Sequence, residues 1–116
     1  MIQRIDPDRD ASDSQFAVGQ LVRHRRYGYR GVIVAYDPRC AAADDWYSSN
    51  QTQPNRDQAW YHVFVHESVH VTYAAQTSLQ ADTESAPIMH PLVPMYFDGL
   101  VGGRYKRNGR AWEGAS

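Results

Sequence analysis

The strongest apolar run in the chain is Val32-Ile33-Val34-Ala35, opened by Gly31 and closed by Tyr36-Asp37-Pro38. β-branched side chains suit a pleated strand, and Pro38 removes the next ladder donor. The run falls far short of the roughly 20 apolar residues that cross a bilayer as a helix. A chain whose best hydrophobic segment is this short must assemble its core from several strands.

Partners for that strand are legible on both sides. Phe16, Val18, Leu21 and Val22 predict a first strand ending near His24, followed by a turn around Tyr27-Gly28-Tyr29. Trp60 to His66 and Val69 to Ala74 alternate with a period of two about Glu67-Ser68, the pattern of a hairpin. Residues 39–59 form an insertion in which Ala41 to Tyr47 can make one or two helical turns before a polar loop. Pro87 and Pro91 then forbid regular helix, so residues 82–91 should wrap the sheet in extended form, and Pro94 to Phe97 suggest another helical turn. About five short strands predict a mainly β fold, a closed or nearly closed small SH3-like antiparallel β-barrel with a short helical insertion, because closure removes exposed edges.

One domain is expected over residues 16–107, between a disordered leader over 1–15 and a flexible tail over 108–116. The aspartate-rich leader lacks the apolar core of a secretory signal. Cys40 is the only cysteine, which excludes an internal disulfide and gives a cytoplasmic address by default, with no membrane association. The lone thiol reads as a small hydrophobe.

His66-Glu67-Ser68-Val69-His70 matches H-E-x-x-H, in which two histidines hold zinc and the glutamate activates water. That chemistry needs a helix to bring both histidines to one face. Val63, Phe64, Val65, Val69, Val71, Thr72 and Tyr73 favour strand instead, and only Glu84 or His90 offers a further ligand. A structural metal held by His66 and His70 across a hairpin is the weaker alternative to ordinary hydrogen-bonding histidines. Gly102-Gly103 has neither the strand, the helix nor the spacing of a nucleotide fingerprint. No catalytic residue, metal or cofactor is expected, and the chain reads as a non-enzymatic binding protein.

The formal net charge of −1 argues against indiscriminate coating of nucleic acid, so the distribution of charge decides more than its sum. Arg23, Arg25, Arg26 and Arg30 crowd into eight residues with His24, Tyr27 and Tyr29, and Arg104, Lys106, Arg107 and Arg110 crowd near the end. Cations interleaved with aromatic rings suit phosphate contacts combined with stacking or groove insertion. The alternative is a solvated hairpin whose tyrosines pack on the barrel.

Phe16-x-Val18-Gly19-Gln20-x-Val22-Arg23-His24, Gly28 to Val34, Asp37-Pro38 and Trp60-Tyr61-His62-Val63 together resemble the YccV-like hemimethylated-DNA-binding domain, also called the heat shock protein HspQ family. Thr72-Tyr73-Ala74, Leu79, Ile88-x-His90-Pro91, Tyr96-Phe97 and Gly103-x-Tyr105 extend the resemblance to about Arg107. It implies a small β-barrel that binds hemimethylated DNA, with the basic and aromatic residues Arg23, His24, Arg25, Arg26, Tyr27, Tyr29, Arg30, Arg104, Lys106 and Arg107 as the contact set. It also implies a role in the stress response. Bacterial members serve regulated proteolysis with Lon, and related domains occur in an F-box protein and in a chloroplast adaptor of Clp. The alternative function is therefore an adaptor for an ATP-dependent protease, with a homo-oligomer also open. Convergence of the two basic clusters would favour DNA; separation would favour the adaptor.

Overall fold

The structure, a computed structural model, describes residues 15–113. The expected leader lies outside the described residues except for Gln15, as do the last three residues of the expected tail. Among the described residues, seven strands occur in the order β1 (Leu21–His24), β2 (Arg30–Asp37), β3 (Trp60–Val65), β4 (Val71–Ala75), β5 (Leu79–Ala81), β6 (Phe97–Val101) and β7 (Arg104–Arg107). Two short helices, α1 (Asp44–Ser49) and α2 (Val93–Tyr96), fall where helical turns were expected. No helix among the described residues is long and apolar enough to cross a membrane.

The first five strands form one antiparallel sheet in the order β4-β3-β2-β1-β5, and β6 and β7 form a separate hairpin. The mainly β class stands, but the closed barrel does not. β4 and β5 are the two edges of the sheet and are joined by a 3-10 turn, Gln76–Ser78, in place of a ladder. β5, at three residues, pairs only with β1. Closure is replaced by cover: the chain after β5 crosses the second face, and the β6–β7 hairpin packs there.

β2 lies at the centre and is buried on both faces, which explains its unbroken apolar run. Ile33 joins Phe16, Val22, Tyr61, Val63 and Leu79 on one face. Val32 and Val34 join Leu21, Phe64, Ile88, Phe97 and Tyr105 on the other. The β6–β7 hairpin is tied to the sheet where the Tyr105 amide donates to the Gly19 carbonyl at 2.8 Å. Gly19 has φ +90°, and a Cβ there would collide with the Tyr105 carbonyl.

Beyond β7, Trp112 packs against Phe64 and Tyr96 with ring centroids 5.6 and 5.3 Å away. Arg107 fastens this segment internally, donating to the carbonyls of Val34 at 2.9 Å and Tyr96 at 3.2 Å.

Candidate nucleic-acid interface

The β1–β2 turn presents the first basic cluster, and His24 organises it from below. Its Nδ1 accepts the backbone N–H groups of Arg26 and Tyr27, each at 3.1 Å. The imidazole stacks on Tyr27 with centroids 4.6 Å apart and leans on Tyr29 at 5.0 Å. Burial, and then the Arg26 guanidinium, hold the His24 pKa below its ordinary value, so the neutral acceptor is favoured. His24 is buried and shapes the turn without facing solvent.

The arginines divide into two groups. Arg30 is only 8% exposed; its Nε lies 2.7 Å from Asp82 Oδ2, and its Nη2 donates to the carbonyls of Ala86 at 2.7 Å and Glu84 at 3.1 Å. Arg23 donates to the Gly28 carbonyl at 3.1 Å and approaches Asp82 at 3.6 Å. Arg30 is committed to holding the segment after β5, whereas Arg23, its side chain 36% exposed, is bonded to its own turn and only approaches that segment. Arg25 and Arg26 are exposed. Arg25 lies along β5, donating to the Leu79 carbonyl and to Gln80 Oε1 at 3.1 and 3.2 Å, while Arg26 sits 5.8 Å above the Tyr27 ring. Tyr27 is 54% exposed. Tyr29 is half-buried against the core with its hydroxyl 2.8 Å from Thr72 Oγ1, and burial raises its pKa.

The second cluster is elsewhere. Arg104 and Lys106 are exposed on β7, and Gln20 bridges to Arg104 at the opposite end of β1 from the turn. Five residues of extended chain separate Gln20 from Arg25, about 16 Å at the usual strand rise. Arg107 is turned inward onto its carbonyl partners. Of the ten residues singled out in the sequence, the fold therefore brings Arg25, Arg26 and Tyr27 together on one exposed turn, leaves Arg23 and Tyr29 half-buried beside it, sets Arg104 and Lys106 apart, and uses His24, Arg30 and Arg107 internally.

The H-E-x-x-H residues fall in the β3–β4 turn and not on a helix. His66 Nδ1 accepts the Met89 amide at 2.9 Å, and the His70 carbonyl takes the Val65 amide at 3.1 Å. His90 bonds the His70 carbonyl through Nε2 at 3.0 Å and accepts the Leu92 amide at Nδ1; burial depresses its pKa, and the carbonyl bond opposes that shift. Among the described residues no three His, Cys, Asp or Glu side chains gather as a metal site.

On the far side of the sheet, Tyr73 donates to Asp37 Oδ2 at 2.6 Å, and His62 lies 3.5 Å from the same oxygen. Burial, and then the bond to Asp37, push the Tyr73 phenol up. Trp46 packs edge-on against Trp60 and Tyr73 with centroids 6.2 and 5.7 Å away, and Trp60 and Tyr73 lie tilted to each other at 5.3 Å. Asp82 is the residue that sequence reasoning missed. It lies 52 positions from Arg30, and only the β1–β5 pairing brings it beneath the arginines.

A mainly β sheet with a strapped second face and an exposed basic turn defines a small binding domain. The family described as "Hemimethylated DNA-binding protein YccV like" matches residues 14–104, and the chain belongs to it. That family is defined by binding and not by a reaction. Among curated relatives, F-box only protein 21 of Homo sapiens is 32% identical over 108 residues, covering 90% of this chain and 17% of that protein. The Mus musculus protein of the same name is 33% identical over 99 residues, covering 83% of this chain and 16% of that protein. The chain thus spans about a sixth of the length of these relatives.

Proposed function

We propose that the chain is a non-enzymatic DNA-binding module that reads hemimethylated duplex, acting in a cytoplasmic, reducing compartment. The observation that carries this reading is the preformed turn of a family described by DNA binding: Arg25, Arg26 and Tyr27 are all exposed at a turn whose backbone His24 holds in place. Arg25 and Arg26 supply phosphate contacts, and an aromatic or apolar group supplies the contact that distinguishes a methylated base in the major groove.

The test is binding to matched unmethylated, hemimethylated and fully methylated duplexes across a salt series. Two neutralised phosphates give a slope of log K against log salt of about −1.8; engagement of Arg104 and Lys106 as well would double it. Arg25→Ala with Arg26→Ala should flatten the slope and weaken all duplexes alike. No binding at low salt would remove the DNA reading.

One observation favours a second reading, recruitment of proteins to an ATP-dependent protease. The two basic clusters lie at opposite ends of β1 and do not converge on one turn. Binding to a protease or its substrates, undisturbed by Arg25→Ala and Arg26→Ala, would mark that reading, and a homo-oligomer would be read in the same experiment from the mass in solution.

A further inference from the structure

We infer that the apolar half of the DNA contact is carried by Val69 of the neighbouring β3–β4 tip and by Met89 of the segment after β5 that is bonded to that tip; this rests on the DNA reading above. Both hairpin tips project from the same end of the sheet, because Gly31 pairs with Val65 and the His66 amide donates to the Arg30 carbonyl at 2.8 Å. The tips are two strand spacings apart, about 10 Å. A major groove about 12 Å wide admits apolar groups at that distance from a phosphate-bound turn.

Val69 is 73% exposed and Met89 64%. Singly exposed apolar residues are common on protein surfaces, but the backbone that carries these two is fixed. Met89 is bonded on both sides, its amide to His66 Nδ1 at 2.9 Å and its carbonyl to the Glu67 amide at 2.8 Å. Ser68 braces the turn beside Val69, donating to the Val65 carbonyl and accepting the His70 amide, each at 3.0 Å. Ile88 and His90 point inward, so the extended chain turns Met89 outward by its period of two. A backbone already fixed beside a basic turn loses little freedom on binding. The first tip cannot supply this contact alone, since Tyr29 is bonded to Thr72 and one face of Tyr27 is stacked on His24.

The tip also carries Glu67, at φ 60° with its carboxylate exposed and 3.7 Å from His66 Nε2. A carboxylate held against DNA opposes binding, which gives the placement a direct electrostatic test. Glu67→Gln keeps the shape of the turn and removes the charge. If the tip abuts a phosphate at about 7 Å, affinity at low salt should rise about threefold. Val69→Ser with Met89→Gln should weaken duplex binding about tenfold, leave the salt slope unchanged and abolish any preference among methylation states. Thermal unfolding is the control, because none of these side chains is buried. Wild-type affinity and preference in both variants would overturn the placement while leaving DNA binding by the basic turn intact. A parent protein that binds no duplex would overturn the DNA reading itself, and this inference with it.

Discussion

Replacing Arg30 with Met separates holding the fold from touching DNA. Arg30 is buried, and its main partner, Asp82, has a side chain only 3% exposed. Removing the guanidinium leaves that carboxylate in the interior and unmakes two bonds to the carbonyls of Glu84 and Ala86. Breaking one side of a buried ion pair typically costs about 3–5 kcal/mol. Arg23 remains 3.6 Å from Asp82 and offsets part of the loss, and Glu84 is too exposed to add much, so we expect about 3 kcal/mol. For a domain of this size that corresponds to a fall in Tm of roughly 15 °C. Urea unfolding followed by tryptophan fluorescence measures it. The second variant, Arg30→Met with Asp82→Asn, removes the stranded charge and should recover about half of the loss. In DNA titrations at a temperature where the variant is folded, the salt slope should match the parent, whereas Arg26→Ala should lower it by about 0.9 with no loss of stability. A loss under about 1 kcal/mol for Arg30→Met, or a salt slope that falls as it does for Arg26→Ala, would refute the assignment of Arg30 to the strap.

Stability should decline as pH falls below about 6.5. The folded-state pKa values of His24 and His90 are depressed, so the unfolded chain takes up protons first, and stability is lost from 6.5 downward through the folded values. His24→Asn, which keeps a side-chain acceptor without titrating, should flatten part of the Tm-against-pH curve between pH 7.5 and 5. Trp112→Ala should cost about 2 kcal/mol in urea unfolding by stripping cover from Phe64 and Tyr96; an unchanged midpoint would mean the indole is not seated there. Gly19→Ala should cost at least about 2 kcal/mol, through its positive φ and the collision with the Tyr105 carbonyl, and the loss should appear as increased hydrogen exchange in β7.

Local chemistry made most of the strands legible. β2, β3 and β4 follow from β-branched runs, a period of two and the stop at Pro38, because these signals act over a few residues. The β6–β7 hairpin was hidden in a glycine-rich, basic stretch, since its strands are held less by pattern than by the β7 bond to Gly19 and by burial of Phe97 and Tyr105. The sheet stays open for a reason no local window contains: the segment after β5 covers the second face and leaves β4 and β5 as edges. The candidate site divides the same way. A cluster of arginines is visible in a string of letters, but which of them meet solvent depends on whether a carboxylate arrives from across the sheet. Asp82 arrives under Arg30 and Arg23, nothing comparable reaches Arg26 among the described residues, and the strand register that makes the difference is a property of the assembled tertiary structure.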